Sequence, residues 1–232
     1  MSGTLYGLGV GPGDPDLLTL KAHRLITRAG TIAYPAPDHG ESFARAIVAR
    51  HIPEGAREIP IVIPMRTERF PAQDVYDAAA TEIATALEAG EDVVVLCEGD
   101  PFFYGSFMYL HARLAERFVV EIVPGVSSLG AVTAAARLPL IARQDVLTVL
   151  PATLPDAVLE ERLAGTDAAA IMKIGRHLPR LRALLERLGM AERAVYVSHA
   201  SLPQQVTCPL AQAPEVAPYF SMIVVPGKDA HV

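Results

Sequence analysis

The residues best placed to do chemistry are backbone turns with few reactive side chains. The run Val93-Val94-Val95-Leu96-Cys97 ends abruptly in Glu98-Gly99-Asp100-Pro101. A continuous, valine-rich apolar run reads as a strand buried on both faces. Its Gly-Asp-Pro end places a rigid polar turn at the strand's carboxyl edge, where open α/β sheets bind ligands. A second such turn follows at Val123-Pro124-Gly125-Val126-Ser127-Ser128, and a glycine-rich one precedes both at Gly7 to Gly13. Glu98 and Asp100 form a close acidic pair beside the middle turn. Asp100 could contact a ligand or cap the helix that follows.

The commoner occupants of such turns do not fit. A Gly-x-Gly-x-x-Gly frame from Gly7 meets Pro12 where glycine is required, and from Gly9 it meets Asp14. No Gly-Lys-Ser/Thr loop is present, and Asp14 and Asp16 would repel a pyrophosphate at that helix start. There is no Gly-x-Ser-x-Gly elbow and no His-Glu-x-x-His helix. His39, His51, His111, His177 and His199 stand singly in the sequence, His199 being of most interest because it follows a strand. The pattern therefore suits a reaction limited by positioning. Methyl transfer from a sulfonium donor is of that kind, because in-line alignment in a closed site supplies much of the acceleration.

Composition narrows the class further. The chain has 232 residues, 51% of them hydrophobic, enough for one large or two compact α/β domains. A net charge of −6 argues against a nucleic-acid groove. No apolar stretch reaches membrane-span length, and the N-terminus lacks a basic leader, so neither a membrane nor a secretory path is expected. Cys97 and Cys208 lie far apart without metal spacing, which points to no metal site and to the reducing cytoplasm. Only Lys21, Lys173 and Lys228 are lysines, so nearly all cations are arginines, which can grip carboxylates in bidentate fashion.

The elements that position the turns follow from periodicity. Strands are expected over 4–10, 31–34, 58–63, 93–97, 119–123, 145–150, 168–174, 194–197 and 222–225, with a short edge strand over 205–208. Asp14 and Pro15 read as the cap and first residue of a helix running to about Arg28. Further helices are expected over 43–49, 71–89, 104–116, 127–137, 155–164 and 178–188. Alternation of strand and helix predicts an α/β fold with two α/β domains, 1–117 and 118–232, with mixed, mostly parallel pairing in the first.

Gly9-Val10-Gly11-Pro12-Gly13-Asp14-Pro15 through Ala22 resembles the opening motif of the tetrapyrrole methyltransferases that use S-adenosylmethionine. Glu98 to Pro101 with Tyr104-Gly105 resembles that family's second motif and Val123 to Ser128 its third. Met172 to Arg176 and His199 to Gln205 stand in the places of two later ones. Five motifs in order span essentially the whole chain. The segments Pro60–Met65, Pro101–Leu114 and Val149–Leu154 resemble the subgroup that methylates the C(20) meso carbon of precorrin-2, on a metal-free or a cobalt-loaded ring.

The resemblance implies two α/β domains with the donor in a cleft between them, a homodimer, a tetrapyrrole acceptor, and S-adenosylhomocysteine as product. It implies donor contacts from Pro12, Gly99, Asp100, Pro101, Tyr104, Ser127, Ser128, Met172, Ala200 and Met222. Met172 could equally be a buried strand residue. Arg66, Arg69 and Arg143 are candidates for the macrocycle's carboxylate arms. No catalytic side chain is identified; Glu98 could accept the meso proton if burial raises its pKa, as could solvent or the substrate itself.

Overall fold

A computed structural model describes residues 2–63 and 72–228. Contacts divide the chain into two units, Met1–Ser127 and Ser128–Val232. The division falls later than the expected 117/118. The physical reason is pairing: β5 (Val119–Val123) lies parallel to β1 (Thr4–Gly9) in the first sheet and belongs to that unit.

The first sheet also holds β2 (Thr31–Pro37), β3 (Arg57–Ile63) and β4 (Val93–Cys97), in the order β3-β2-β4-β1-β5, all parallel. Helices α1 (Leu20–Ile26) and α2 (Phe43–Val48) cover one face; α3 (Ala72–Glu88) and α4 (Phe107–Leu114) cover the other. β4 shows why its run had to be apolar throughout. Val93, Val95 and Cys97 enter the core beneath α3 and α4, while Val94 and Leu96 enter the one beneath α1 and α2.

Two local expectations are corrected. Asp14 does not open a long helix: its carboxylate accepts from the Asp16 N–H and caps only a short 3-10 turn at Pro15–Leu17. Thr19 then caps α1, accepting from the Ala22 N–H at 3.2 Å. The prolines at 35 and 37 do not end β2. They sit beyond Ala33, where pairing with β4 stops and only β3 remains, so one side of β2 asks for no amide donor.

The second sheet has the order β6-β7-β10-β8-β9, from β6 (Leu147–Pro151), β7 (Ala168–Met172), β8 (Val195–Ser198), β9 (Val206–Pro209) and β10 (Ser221–Val225). Only β6 and β7 are parallel neighbours; β10 runs against β7 and β8, and β9 against β8. Helices α6 (Asp156–Leu163) and α7 (Leu178–Arg187) pack on one face through Leu159, Leu163, Leu181, Leu184 and Leu185. Helix α5 (Ser128–Ala136) packs on the other through Val132. No helix among the described residues is long and apolar enough to cross a membrane.

Candidate functional site

In the first unit the three motif turns meet at one point on the carboxyl edge of the sheet. Past the end of β1, Gly11 and Gly99 exchange backbone bonds, Gly99 N–H to Gly11 O at 2.8 Å and Gly11 N–H to Gly99 O at 3.3 Å. Gly125 lies so close that a Cβ on it would stand 2.0 Å from Gly99 O and 2.8 Å from the Gly9 Cα. The first, second and third motifs thus interlock through bare backbone, which only glycine permits. Gly99 itself has φ of 63°, a conformation that disfavours any side chain.

Asp100 ties this junction. Its Oδ1 accepts from the Phe102 and Phe103 N–H groups at 3.0 and 3.2 Å, and its Oδ2 from the Gly125 N–H at 3.1 Å. The helix-cap reading is not borne out: Asp100 holds the turn that follows and ties it to the third motif. It does not cap α4, which Ser106 precedes without a side-chain bond. Pro101 is buried, Pro12 partly so, and Tyr104 is exposed with φ of 56°. Ser127 ends the first unit and Ser128 begins α5.

Glu98 lies partly buried between the β4 core and this junction. Burial pushes its carboxyl above the usual range, opposed in smaller measure by the backbone amides of Glu98 and Ala44. Residues Phe102, Tyr104, Met108 and Tyr109 leave an apolar, aromatic surface exposed after the junction. Sequence reading did not single this surface out. The signal was there in α4, where Met108 and Tyr109 occupy positions that a solvated helix face fills with charges.

In the second unit, Met172 ends β7 and is the cross-strand partner of Met222 on β10. Ala200 follows β8, which is parallel to β7 because both run against β10. Met172, Met222 and Ala200 therefore share one edge of the second sheet. Met222 is buried and Met172, a strand residue at the end of β7, is partly so. Three non-glycine residues at this edge have left-handed backbones: Lys173 (58°), His199 (50°) and Ser201 (69°). Such conformations cost free energy and gather at ligand sites. The His199 N–H donates to Phe220 O at 2.8 Å, anchoring the loop before β10.

Arg143 is not brought to this edge. It lies in the turn closed by the Asp145 N–H to Ala142 O bond, just before β6. Since β6 starts level with β7 (Leu147 opposite Ala168), Arg143 stands at the opposite edge from Met172. Gly227, past the far end of β10, donates to Leu140 O beside that turn. Arg66 and Arg69 lie outside the described residues. Among the described residues no three His, Cys, Asp or Glu side chains are grouped to hold a metal ion.

Comparison with known proteins gives these edges a context. The chain is 43% identical to a precorrin-2 C(20)-methyltransferase of Sinorhizobium sp, over 97% of this chain and 96% of that one. It is 32% identical to a cobalt-precorrin-2 C(20)-methyltransferase of Salmonella typhimurium, over 97% of each. In structure it matches the uroporphyrin-III C-methyl transferase of Thermus thermophilus complexed with S-adenyl homocysteine, at a TM-score of 0.71 and 26% identity, over 96% of this chain and 97% of that one. A family model described as Tetrapyrrole (Corrin/Porphyrin) Methylases matches residues 4–214. The chain belongs to the tetrapyrrole (corrin/porphyrin) methylases.

Proposed function

We propose that this protein transfers a methyl group from S-adenosylmethionine to the C(20) meso carbon of precorrin-2, giving precorrin-3A and S-adenosylhomocysteine in cobalamin biosynthesis. The observation that carries this reading is the interlocked junction of Gly11, Gly99 and Gly125 under Asp100, together with 43% identity to a methyltransferase of that specificity. We assign donor contacts to Pro12, Gly99, Asp100, Pro101, Tyr104 and Ser127 in the first unit. In the second we assign them to Ser128, Met172, Ala200 and Met222. The chemistry these residues can support is alignment. Bare backbone lets a ligand approach closely, and Met172 offers a soft apolar surface. The donor's C–S bond breaks with its electron pair left on sulfur, as the meso carbon's electrons form the new C–C bond. The meso proton then leaves.

A cobalt-loaded ring is the second reading, favoured by the 32% identity to the Salmonella typhimurium protein. The higher identity to the Sinorhizobium protein supports taking the metal-free ring as the first reading. We further propose that the protein works as a homodimer in the cytoplasm, where the free thiols of Cys97 and Cys208 would stay reduced. The deciding experiment incubates the protein with S-adenosylmethionine and precorrin-2 beside the cobalt-loaded ring, and locates the new methyl by NMR. One methyl on C(20) of the metal-free ring is expected. Faster turnover of the cobalt ring would select the second reading, and a methyl at any other carbon would overturn both.

A further inference from the structure

Several arginines pair with carboxylates at the surface: Arg50 with Asp16, Arg57 with Glu82, Arg117 with Glu88. Arg180, on α7, is used differently. Its guanidinium reaches the connection between β6 and α6, where Nη2 donates to Ala152 O and Nη1 to Leu154 O at 2.9 Å. Those two carbonyls flank Thr153, which stands exposed at the tip of the connection. Nη1 also donates to the Asp156 carboxylate at the start of α6, and Nη2 lies 3.4 Å from His177 Nδ1. One planar group thus holds two carbonyls and a carboxylate of the same connection, a geometry that the point charge of a lysine cannot reproduce. Its Nε is buried and has no hydrogen-bond partner among the described residues. An apolar side chain would fill the space without that cost, but it would leave the connection unheld.

The connection matters because of what it touches. β6 ends level with β7, Pro151 opposite Met172, and the next amide, Ala152 N–H, donates to Met172 O at 2.8 Å. Ala152 is fully buried, and Leu154 packs on the core that Leu178 and Leu181 of α7 also enter. On its other side Met172 leads through Lys173, left-handed at φ of 58°, and a 3-10 turn at Gly175–His177 into α7. From α7, Arg180 reaches back to Ala152. A circuit therefore closes from Met172 through α7 and Arg180 to Ala152 and back to Met172. Arg180 is its side-chain link, while chain connectivity and a backbone bond supply the rest. A left-handed backbone at a residue other than glycine persists where its surroundings over-determine it, and this circuit supplies that constraint at the end of β7.

We propose that Arg180 is a positioning residue for the methyl donor: by clamping both carbonyls that flank Thr153, it fixes the end of β7 and with it Met172. The inference rests on the assignment of Met172 to the donor above. Arg180 needs no contact with the donor itself. It acts on the fraction of molecules whose edge already stands in the arrangement that binds. Where the clamp is lost that fraction falls, and apparent affinity falls in proportion. Asp156 shares the task, because its carboxylate orients the guanidinium fork.

Calorimetry with S-adenosylhomocysteine and steady-state kinetics with precorrin-2, both well below the melting temperature, test this. Arg180→Lys keeps the charge and loses the fork. Its S-adenosylhomocysteine Kd and its donor KM should rise about tenfold, while the acceptor KM and kcat at saturating donor stay within about threefold. Asp156→Asn, at an exposed position, should raise the same two donor constants by about threefold. The double variant should be no worse than Arg180→Lys alone, because both residues act through one clamp. Unchanged donor constants in Arg180→Lys overturn the proposal. So does a lowered melting temperature with unchanged affinity, the mark of a merely structural clamp. If Arg180→Lys does not fold, Asp156→Asn decides by the same two criteria. Binding of neither S-adenosylmethionine nor S-adenosylhomocysteine by the unaltered protein would overturn the donor assignment, and this inference with it.

Discussion

The carboxyl edge of the first sheet and the motif-bearing edge of the second are built by opposite means. At the first, Gly11, Gly99 and Gly125 bring three turns into backbone contact, and Asp100 holds two amides of its own turn and fastens it to the third through the Gly125 N–H. At the second, Lys173, His199 and Ser201 carry side chains in left-handed conformations, and Met172 faces Met222 across the ladder. One edge removes side chains to avoid strain; the other keeps side chains and accepts it. The pairing explains part of this difference. In the all-parallel sheet the ends of β1, β4 and β5 point the same way, so their turns must share one small space. In the second sheet β10 arrives from the opposite direction and its start, not a third turn, fills the place between β7 and β8. Removal of Cβ atoms lets the turns of one edge pack closely, and retained strain marks the other.

The largest effect should come from Gly125→Ala. The added Cβ would stand 2.0 Å from Gly99 O, a backbone atom with nowhere to go. Donor affinity should be lost and stability should fall by about 3 kcal/mol or more, read by calorimetry and thermal melting. An alanine variant that binds normally would show that the junction is loose and the comparison unfounded. Next comes Asp100→Asn. The amide can still accept from Phe102 and Phe103, but its NH2 would then face the Gly125 N–H, donor against donor. A cost of about 1–3 kcal/mol is expected, with weaker donor binding.

Smaller effects sharpen the other side of the comparison. Arg143 has φ of 49° at the edge away from Met172. Arg143→Gly should gain up to about 1 kcal/mol by relieving that conformation, with turnover unchanged. If it instead raises the KM for the tetrapyrrole, the acceptor reaches that edge. His199→Gly should relieve similar strain but, if the donor assignment proposed above holds, weaken donor binding, because its strain lies at the edge assigned to the donor. The smallest change is expected from Tyr196→Phe. The Tyr196 hydroxyl is fully buried in the second core and has no hydrogen-bond partner among the described residues. Removing it should leave the melting temperature unchanged or raise it by the equivalent of about 1 kcal/mol. A marked loss would mean that the hydroxyl finds a partner in solution.

Much of the fold was legible because burial leaves a pattern. The uninterrupted Val93–Cys97 run was read as a strand buried on both faces, and each face proved to be a separate core. The strand at 119–123 and the helices at 43–49 and 178–188 were placed within a residue or so, since apolar spacing reports which face is covered. The start of α1 was not. Asp14-Pro15 and Thr19 are both good caps, and local chemistry could not say which would win. In the fold the backbone is extended at Leu18 and Thr19, so the turn capped by Asp14 stops and the helix starts anew at Thr19. The prolines of β2 misled for a related reason: whether a missing amide matters depends on whether a neighbour stands there to accept it.

The sequence by itself determined the motifs, the α/β alternation, the family and the chemical class, because these depend on residue type and local order. Tertiary structure decided the rest. It assigned β5 to the first unit by pairing it with β1. It gave Asp100 its task by bringing Gly125 within 3.1 Å, and it set Arg143 apart from Met172 by the direction of β6. Each is a contact between residues distant in the chain, and no local preference of either partner encodes such a meeting.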